Sequence, residues 1–270
     1  MNLFEKLLIA LQIHMPKPTF YGWFHLLSIL LCLTGTIVII SLARNVNEKS
    51  FRRIVLVCWL TVAILEIAKQ LIGSVNNENG QAVWSYSWHT FPFQLCSTQL
   101  YLLPFVVWLK DCKFRDSIIS FLATFSLFGG LLVYIYPRDV FTSSVYFNIQ
   151  TMIHHGTQIV LGIYFLVYYR QRLNWRYFAH SLPVFAVLLA IAMFFNILIY
   201  QTVLIYNGQV MNMFYISPYA PCALPEVENL IWPNAPYSVI LIIYLIGIIT
   251  TCALVFALSY YIIRTIQRRS

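Results

Sequence analysis

The stretch 91-FPFQLCSTQLYLLPFVVWL-109 decides the fold, because the topology of the whole chain turns on whether this segment crosses a membrane. It is the shortest of seven apolar segments and carries Gln94, Cys96, Ser97, Thr98 and Gln99 in its first half, so hydropathy argues for it weakly. Charge argues for it strongly. Lys and Arg accumulate on the cytoplasmic side of short loops. With this segment counted, Arg44, Lys49, Arg52 and Arg53, then Lys110, Lys113 and Arg115, then Arg170, Arg172 and Arg176, and finally Arg264, Arg268 and Arg269 all fall on one side. These are 13 of the 17 basic residues; the other side keeps Lys6, Lys17 and Arg138, and Lys69 lies within a span. Without it the clusters scatter over both sides.

Working outward, the expected spans are Tyr21 to Leu42, Phe51 to Ile72, Phe91 to Leu109, Ser117 to Tyr136, Phe147 to Tyr169, Phe178 to Leu204 and Tyr237 to Ile263. Each approaches the roughly 20 apolar residues that a hydrocarbon core requires of a helix. A composition of 60% apolar and 10% charged residues excludes a soluble domain of this size. Continuous apolar runs exclude a membrane β-barrel, whose strands alternate. The expectation is an all-α polytopic bundle of seven transmembrane helices over residues 21-270, with the N-terminus outside, the C-terminus cytoplasmic, and a location in the cell membrane. The net charge of +8 is then matched to anionic inner-leaflet lipid. No nucleic-acid partner is expected.

Residues 1-20 read as an amphipathic interfacial segment. Leu3, Phe4, Leu7, Leu8 and Leu11 share a face over the first fourteen residues, which lack a cleavable signal's cationic start and long apolar centre. The six cysteines are spread singly, with no zinc-like spacing, although a Cys96–Cys222 bridge is open. The longest connection, Ile205 to Ala235, holds Pro218, Pro221, Pro225, Pro233, Glu226 and Glu228 and no basic residue, and reads either as a cover for the outer mouth or as a plain loop.

Ionisable groups within spans are costly and face the bundle interior, so their depth carries information. The topology gives each helix a direction. It brings Glu66, Lys69 and Gln70, then Gln94, Cys96 and Gln99, then Gln150, Thr151, His154, His155 and Gln158, then Asn196 and Gln201, to one level in the outer half. A polar cavity is expected there. Gln150, His154 and Gln158 share one helical stripe, and Glu66 with Lys69 can neutralise each other. Cys96 is the one intramembrane cysteine amid polar neighbours, in a helix that Thr90 would cap and Pro92 would start. A helix end and a nearby histidine both favour a thiolate, while burial opposes it. A Cys/His pair of this kind suits nucleophilic catalysis; packed core roles are the plain alternative. A metal site from His89, Cys96, His154 and His155 is disfavoured, since adjacent helical residues point about 100° apart. No cofactor is expected, and a retinal pigment is excluded by the lack of Lys between Tyr237 and Ile263.

Phe91-Pro92-Phe93-Gln94-Leu95-Cys96, Gly129-Gly130, Tyr136-Pro137, His155-Gly156 and Asn212-Met213-Phe214, in that order, resemble the YwaF-like bacterial integral membrane proteins. Those are related to a eukaryotic transmembrane acyltransferase acting on ether phospholipids. The resemblance implies that Cys96 is an acyl carrier and that the histidine before glycine, His155, is its partner, with His154 the alternative because the histidine is doubled here. The expected function is therefore a lipid acyltransferase or lipid-ester hydrolase with membrane lipid as substrate. Cys96 would be the nucleophile, His155 the base and then acid, and Gln94 or Gln99 the oxyanion donor, with Glu66, Lys69, Gln158, Asn196 and Asn212 in support. Two other classes stay open: a transporter or channel for a small polar or cationic solute, and a non-catalytic sensor or assembly factor.

Overall fold

The computed structural model describes residues 1–43, 46–137, 140–220 and 234–269. Arg44, Arg138, Pro221, Pro225, Pro233, Glu226, Glu228 and the Cys96–Cys222 bridge lie outside the described residues. Five helical stretches are long and apolar enough to cross a membrane: Trp23–Leu42, Glu48–Ser74, Lys113–Ile135, Trp175–Asn207 and Tyr237–Ile266. The expected third and fifth spans are not among them. Leu95–Trp108 is apolar but short. The helix Val145–Tyr168 has length enough, at 24 residues, but buries Asn148, Gln150, His154, His155 and Gln158. It packs against several other helices, so its polar residues meet protein where an outer helix would meet lipid.

The elements, in order, are α1 (Leu3–Ala10), α2 (Trp23–Ala43), α3 (Glu48–Ser74), β1 (Val75–Glu78), β2 (Gln81–Trp84), α4 (Gln99–Trp108), α5 (Lys113–Phe121), α6 (Leu127–Ile135), α7 (Val145–Tyr168), α8 (Trp175–Ala179), α9 (Ser181–Ile199) and α10 (Tyr237–Arg269). A π-helical turn, Leu122–Ser126, joins α5 to α6. Asn47 and Ser144 cap α3 and α7 by accepting from the Ser50 and Phe147 amides, which fixes where each helix starts.

α7 is the hub, contacting α2, α3 and α6. Its approach to α6 depends on missing side chains. A Cβ at Gly130 would lie 2.8 Å from the His155 carbonyl, one at Gly156 2.7 Å from the Tyr134 hydroxyl, and one at Gly162 2.7 Å from Leu127. Small residues let membrane helices close on each other where no hydrophobic force between them exists. Gly130→Ala is expected to cost about 1–3 kcal/mol, as overpacking against backbone does. Gly35→Ala is the control, because its Cβ would meet Val160 at an ordinary 3.5 Å. Equal denaturation curves for the two variants in detergent would remove this account of the α6–α7 contact.

At one end of the bundle the basic loops meet. Glu48 accepts from Arg52 (2.8 Å), Arg115 (2.7 Å) and Tyr168 (3.2 Å). Arg52 and Arg115 also reach the carbonyls of Val107 and Val106 near the end of α4, completing acceptors that a helix C-terminus leaves open.

The other end departs from the all-α expectation. β1 and β2 form a hairpin with register Val75↔Trp84, turned at Asn79-Gly80 with φ 52° and 83°. That dipeptide suits a two-residue turn because both positions need positive φ. The N-terminal helix, expected over fourteen residues, ends at Ala10. Beyond it Ile13 and Met15 bond the backbone of Val145 and Ser143, and extended pairing replaces helix. Leu8 is buried against Ile72 and Val75, and Gln12 donates to both of their carbonyls. The Asn2 amide, with the Trp84 indole second, holds the Glu5 carboxyl below the usual range.

Candidate functional site

Between α3, α6, α7 and α10 lies a cavity of about 830 Å³. Glu66, Lys69, Gln94, Cys96, His154, His155 and Asn212 all reach its wall. Gln99, Gln158 and Asn196 stand behind it and hold it together. Four segments far apart in sequence thus converge; three of them are those placed at one level by depth, and the fourth, the Asn212 loop, takes the place expected for Asn196 and Gln201.

The third apolar segment is broken where it meets the cavity. Thr90 and Pro92 do not cap and start a helix: the Thr90 hydroxyl donates to the Ser87 carbonyl, and its own carbonyl accepts from Gln70. Leu95–Thr98 is a 3-10 turn, and α-helix begins only at Gln99. Cys96 therefore precedes the α-helix end that was expected to favour its thiolate, and the macrodipole acts from α4 behind it. Irregular backbone at membrane depth is tolerated where protein satisfies it. Here α7 does so: the Cys96 carbonyl accepts from His154 Nε2 (3.1 Å) and Gln158 Nε2 (2.7 Å). Gln158 Nε2 also donates to Ser126 Oγ (3.0 Å) in the π-turn, and Gln99 Nε2 donates to the His154 carbonyl (2.9 Å).

These bonds fix the ring tautomers, since a carbonyl only accepts. In the neutral rings, His154 carries its proton on Nε2. His155, whose Nδ1 lies 2.7 Å from the Thr151 carbonyl, carries its proton on Nδ1. His154 Nδ1 and His155 Nε2 are left as bare, buried lone pairs with no hydrogen-bond partner among the described residues, and Gln158 Oε1 is a third such acceptor. Buried acceptors without donors are uncommon and costly in native folds. The two histidine nitrogens, on neighbouring residues that line the cavity, suit a site that receives an O–H or S–H.

Glu66 anchors the other wall. Its carboxylate, 6% exposed, lies 3.0 Å from Lys69 Nζ and accepts from Gln70 and Gln150, each at 2.7 Å. The expected neutralisation is thus a four-residue network joining α3 to α7. Asn212 and its neighbours close the cavity on a strained loop in which Phe214 and Tyr215 have φ of 55° and 56°. Two amides clamp it: Gln94 bonds the Asn212 carbonyl and the Phe214 amide, both at 2.8 Å, and Asn196 bonds the Met213 carbonyl and amide. Such backbone persists only where the surroundings over-determine it. Gln94 lines the cavity, whereas Gln99, 1% exposed, is committed behind it.

The TMEM164 family model matches residues 20–260, every element from α2 to the body of α10. The chain belongs to the TMEM164 family. No curated protein and no solved structure matches it significantly. It is a membrane protein with several apolar helices. In this TMEM164-family chain two contributors to the site have only faint sequence signals. Ser126 is signalled only as a hydroxyl in an apolar span. The α10 wall is signalled only by Gly247, an isolated glycine that lowers helix propensity without evident local reason.

Proposed function

We propose that this TMEM164-family protein is a cell-membrane lipid acyltransferase or lipid-ester hydrolase, with seven spans, its N-terminus outside and its C-terminus cytoplasmic. The third and fifth crossings are α4 with the Leu95–Thr98 turn before it, and α7. Arg52, Arg115 and Arg172 lie at one end of the bundle, near Glu48 or Asp116, which supports the charge-based orientation. The resemblance to YwaF-like proteins supports the acyl chemistry.

The observation that carries the reading is that His155 and Cys96 line one cavity and that His155 Nε2 is a buried acceptor with no hydrogen-bond partner among the described residues. His155 Nε2 takes the thiol proton as Cys96 sulfur attacks the ester carbonyl carbon. The S–C bond forms, the C–O bond breaks, and the proton passes to the departing alkoxide. An acceptor hydroxyl or water then attacks the thioester, gives its proton to His155, and the thiolate leaves and is reprotonated. A Gln94 N–H stabilises the oxyanion. Lys69 and Glu66 set the polarity of the opposite wall.

The test is direct. Purified protein in lipid nanodiscs, given a phospholipid with a labelled acyl chain, is expected to carry label on Cys96 that neutral hydroxylamine removes. Folded Cys96→Ala gains none. A folded wild type that never acquires the label, yet has a reactive Cys96, sinks the covalent mechanism.

A further inference from the structure

The cavity is two-faced. Beyond the Cys96 and His155 region it continues between α6 and α10 as a slot walled by Phe128, Leu132 and Val133 on one side and Gly247, Ile248 and Thr251 on the other. The α10 wall offers an occupant no free hydrogen-bonding side chain. The Thr251 hydroxyl turns back onto the Gly247 carbonyl at 2.8 Å, and the Tyr244 hydroxyl is spent on the Phe214 carbonyl at 3.0 Å. At Gly247 a Cβ would meet nothing within 4 Å, so the helices stand apart there without being forced to. That contrasts with Gly130 and Gly156, where absence of a side chain lets helices close. Leu132 and Ile243 are 51% and 39% exposed, so the slot opens sideways. From Ile243 to Thr251 it follows α10 for roughly 12 Å at helical rise.

We infer that this slot holds one acyl chain of the ester-bearing lipid, entering from the bilayer between α6 and α10, and that Gly247 sets how long a chain is accepted. The inference rests on the acyl-transfer reading for the identity of the ester. It rests on the cavity's own surfaces for the rest: Cys96 and two histidines, each with an unpaired ring nitrogen, at one pole, and an apolar lateral slot at the other. The Cα of Cys96 would be 4.0 Å from a Cβ on Gly129, one turn of α6 from Leu132 and Val133, so a chain in the slot presents its carbonyl end toward the thiol. A hydrocarbon tail loses little by leaving lipid for an apolar wall, so length selectivity comes from space, and filling that space is the decisive change.

Gly247→Trp puts an indole into the slot. Long-chain and short-chain phospholipid donors, compared on one preparation, are expected to show the long-to-short rate ratio fall on the order of tenfold or more. Leu258→Trp on the lipid-facing side of α10, at a residue 64% exposed, leaves the ratio unchanged. An unchanged ratio in Gly247→Trp, or equal falls in both variants, overturns the slot. A second readout is independent of turnover: in Cys96→Ala, a phospholipid with a photoreactive chain terminus is expected to label Ile248 or Leu132, and Gly247→Trp added to that background abolishes this labelling. If no donor is turned over but the labelling behaves so, the acyl-transfer reading fails and the slot stands. If turnover occurs and labelling is indifferent to Gly247→Trp, the slot fails and the chemistry stands.

Discussion

His155→Gln is expected to slow acyl transfer by on the order of 10²- to 10⁴-fold, the usual worth of a positioned base, while His154→Gln slows it far less. The asymmetry comes from the tautomers. His154 spends its N–H on the Cys96 carbonyl, a task a glutamine amide can take over, and Gln158 supports the same carbonyl at 2.7 Å. His155 spends its N–H on its own helix at Thr151 and presents Nε2 as an acceptor. A glutamine there cannot shuttle a proton. Single-turnover deacylation of labelled Cys96 separates the two roles from binding. Severe loss in His154→Gln with near-normal turnover in His155→Gln would reverse the assignment.

Glu66→Gln is expected to cost about 3 kcal/mol, because breaking a buried ion pair from one side leaves its partner's charge uncompensated. Lys69 is 23% exposed, which keeps the figure at the low end of that class. Adding Lys69→Met should recover more than half the loss, since a neutral pair of similar volume removes the stranded charge. Denaturant titration in mixed micelles reads both. A single variant as stable as wild type, or a double variant no better than the single, would mean that Glu66 and Lys69 do not compensate each other's charge.

That polar residues of distant segments gather at one site is legible in the amino-acid sequence, because apolar lengths and basic loops give each helix an expected direction. Depth points to Glu66, Cys96, His154 and His155, which line one cavity, whereas Asn212 comes only from the resemblance and Asn196 stands behind the wall; i,i+3 spacing anticipates the Glu66–Lys69 pair. Sequence pattern fails where long-range partners override it. The Cys96 turn is held by residues of α7, and the loop after α9 is clamped by Gln94, far away in sequence. No periodicity announces such ties. The Asn79-Gly80 hairpin is readable from its turn residues but is overshadowed by the apolar runs around it. Gln99 and Gln158 stand out as polar residues, but whether an amide faces a cavity or a neighbouring backbone depends on rotation that depth does not supply.

The broken turn around Cys96 also bears on how the chain is made. Its carbonyl finds both of its side-chain donors on α7, more than fifty residues later, so the segment leaves the ribosome before anything can satisfy it. An exposed polar backbone is poorly retained in lipid, and the apolar stretch that follows is short. If the segment crosses the bilayer as proposed, its stable residence there is expected to wait for α7 to be synthesised, and Cys96 is enclosed only once His154 and His155 have arrived.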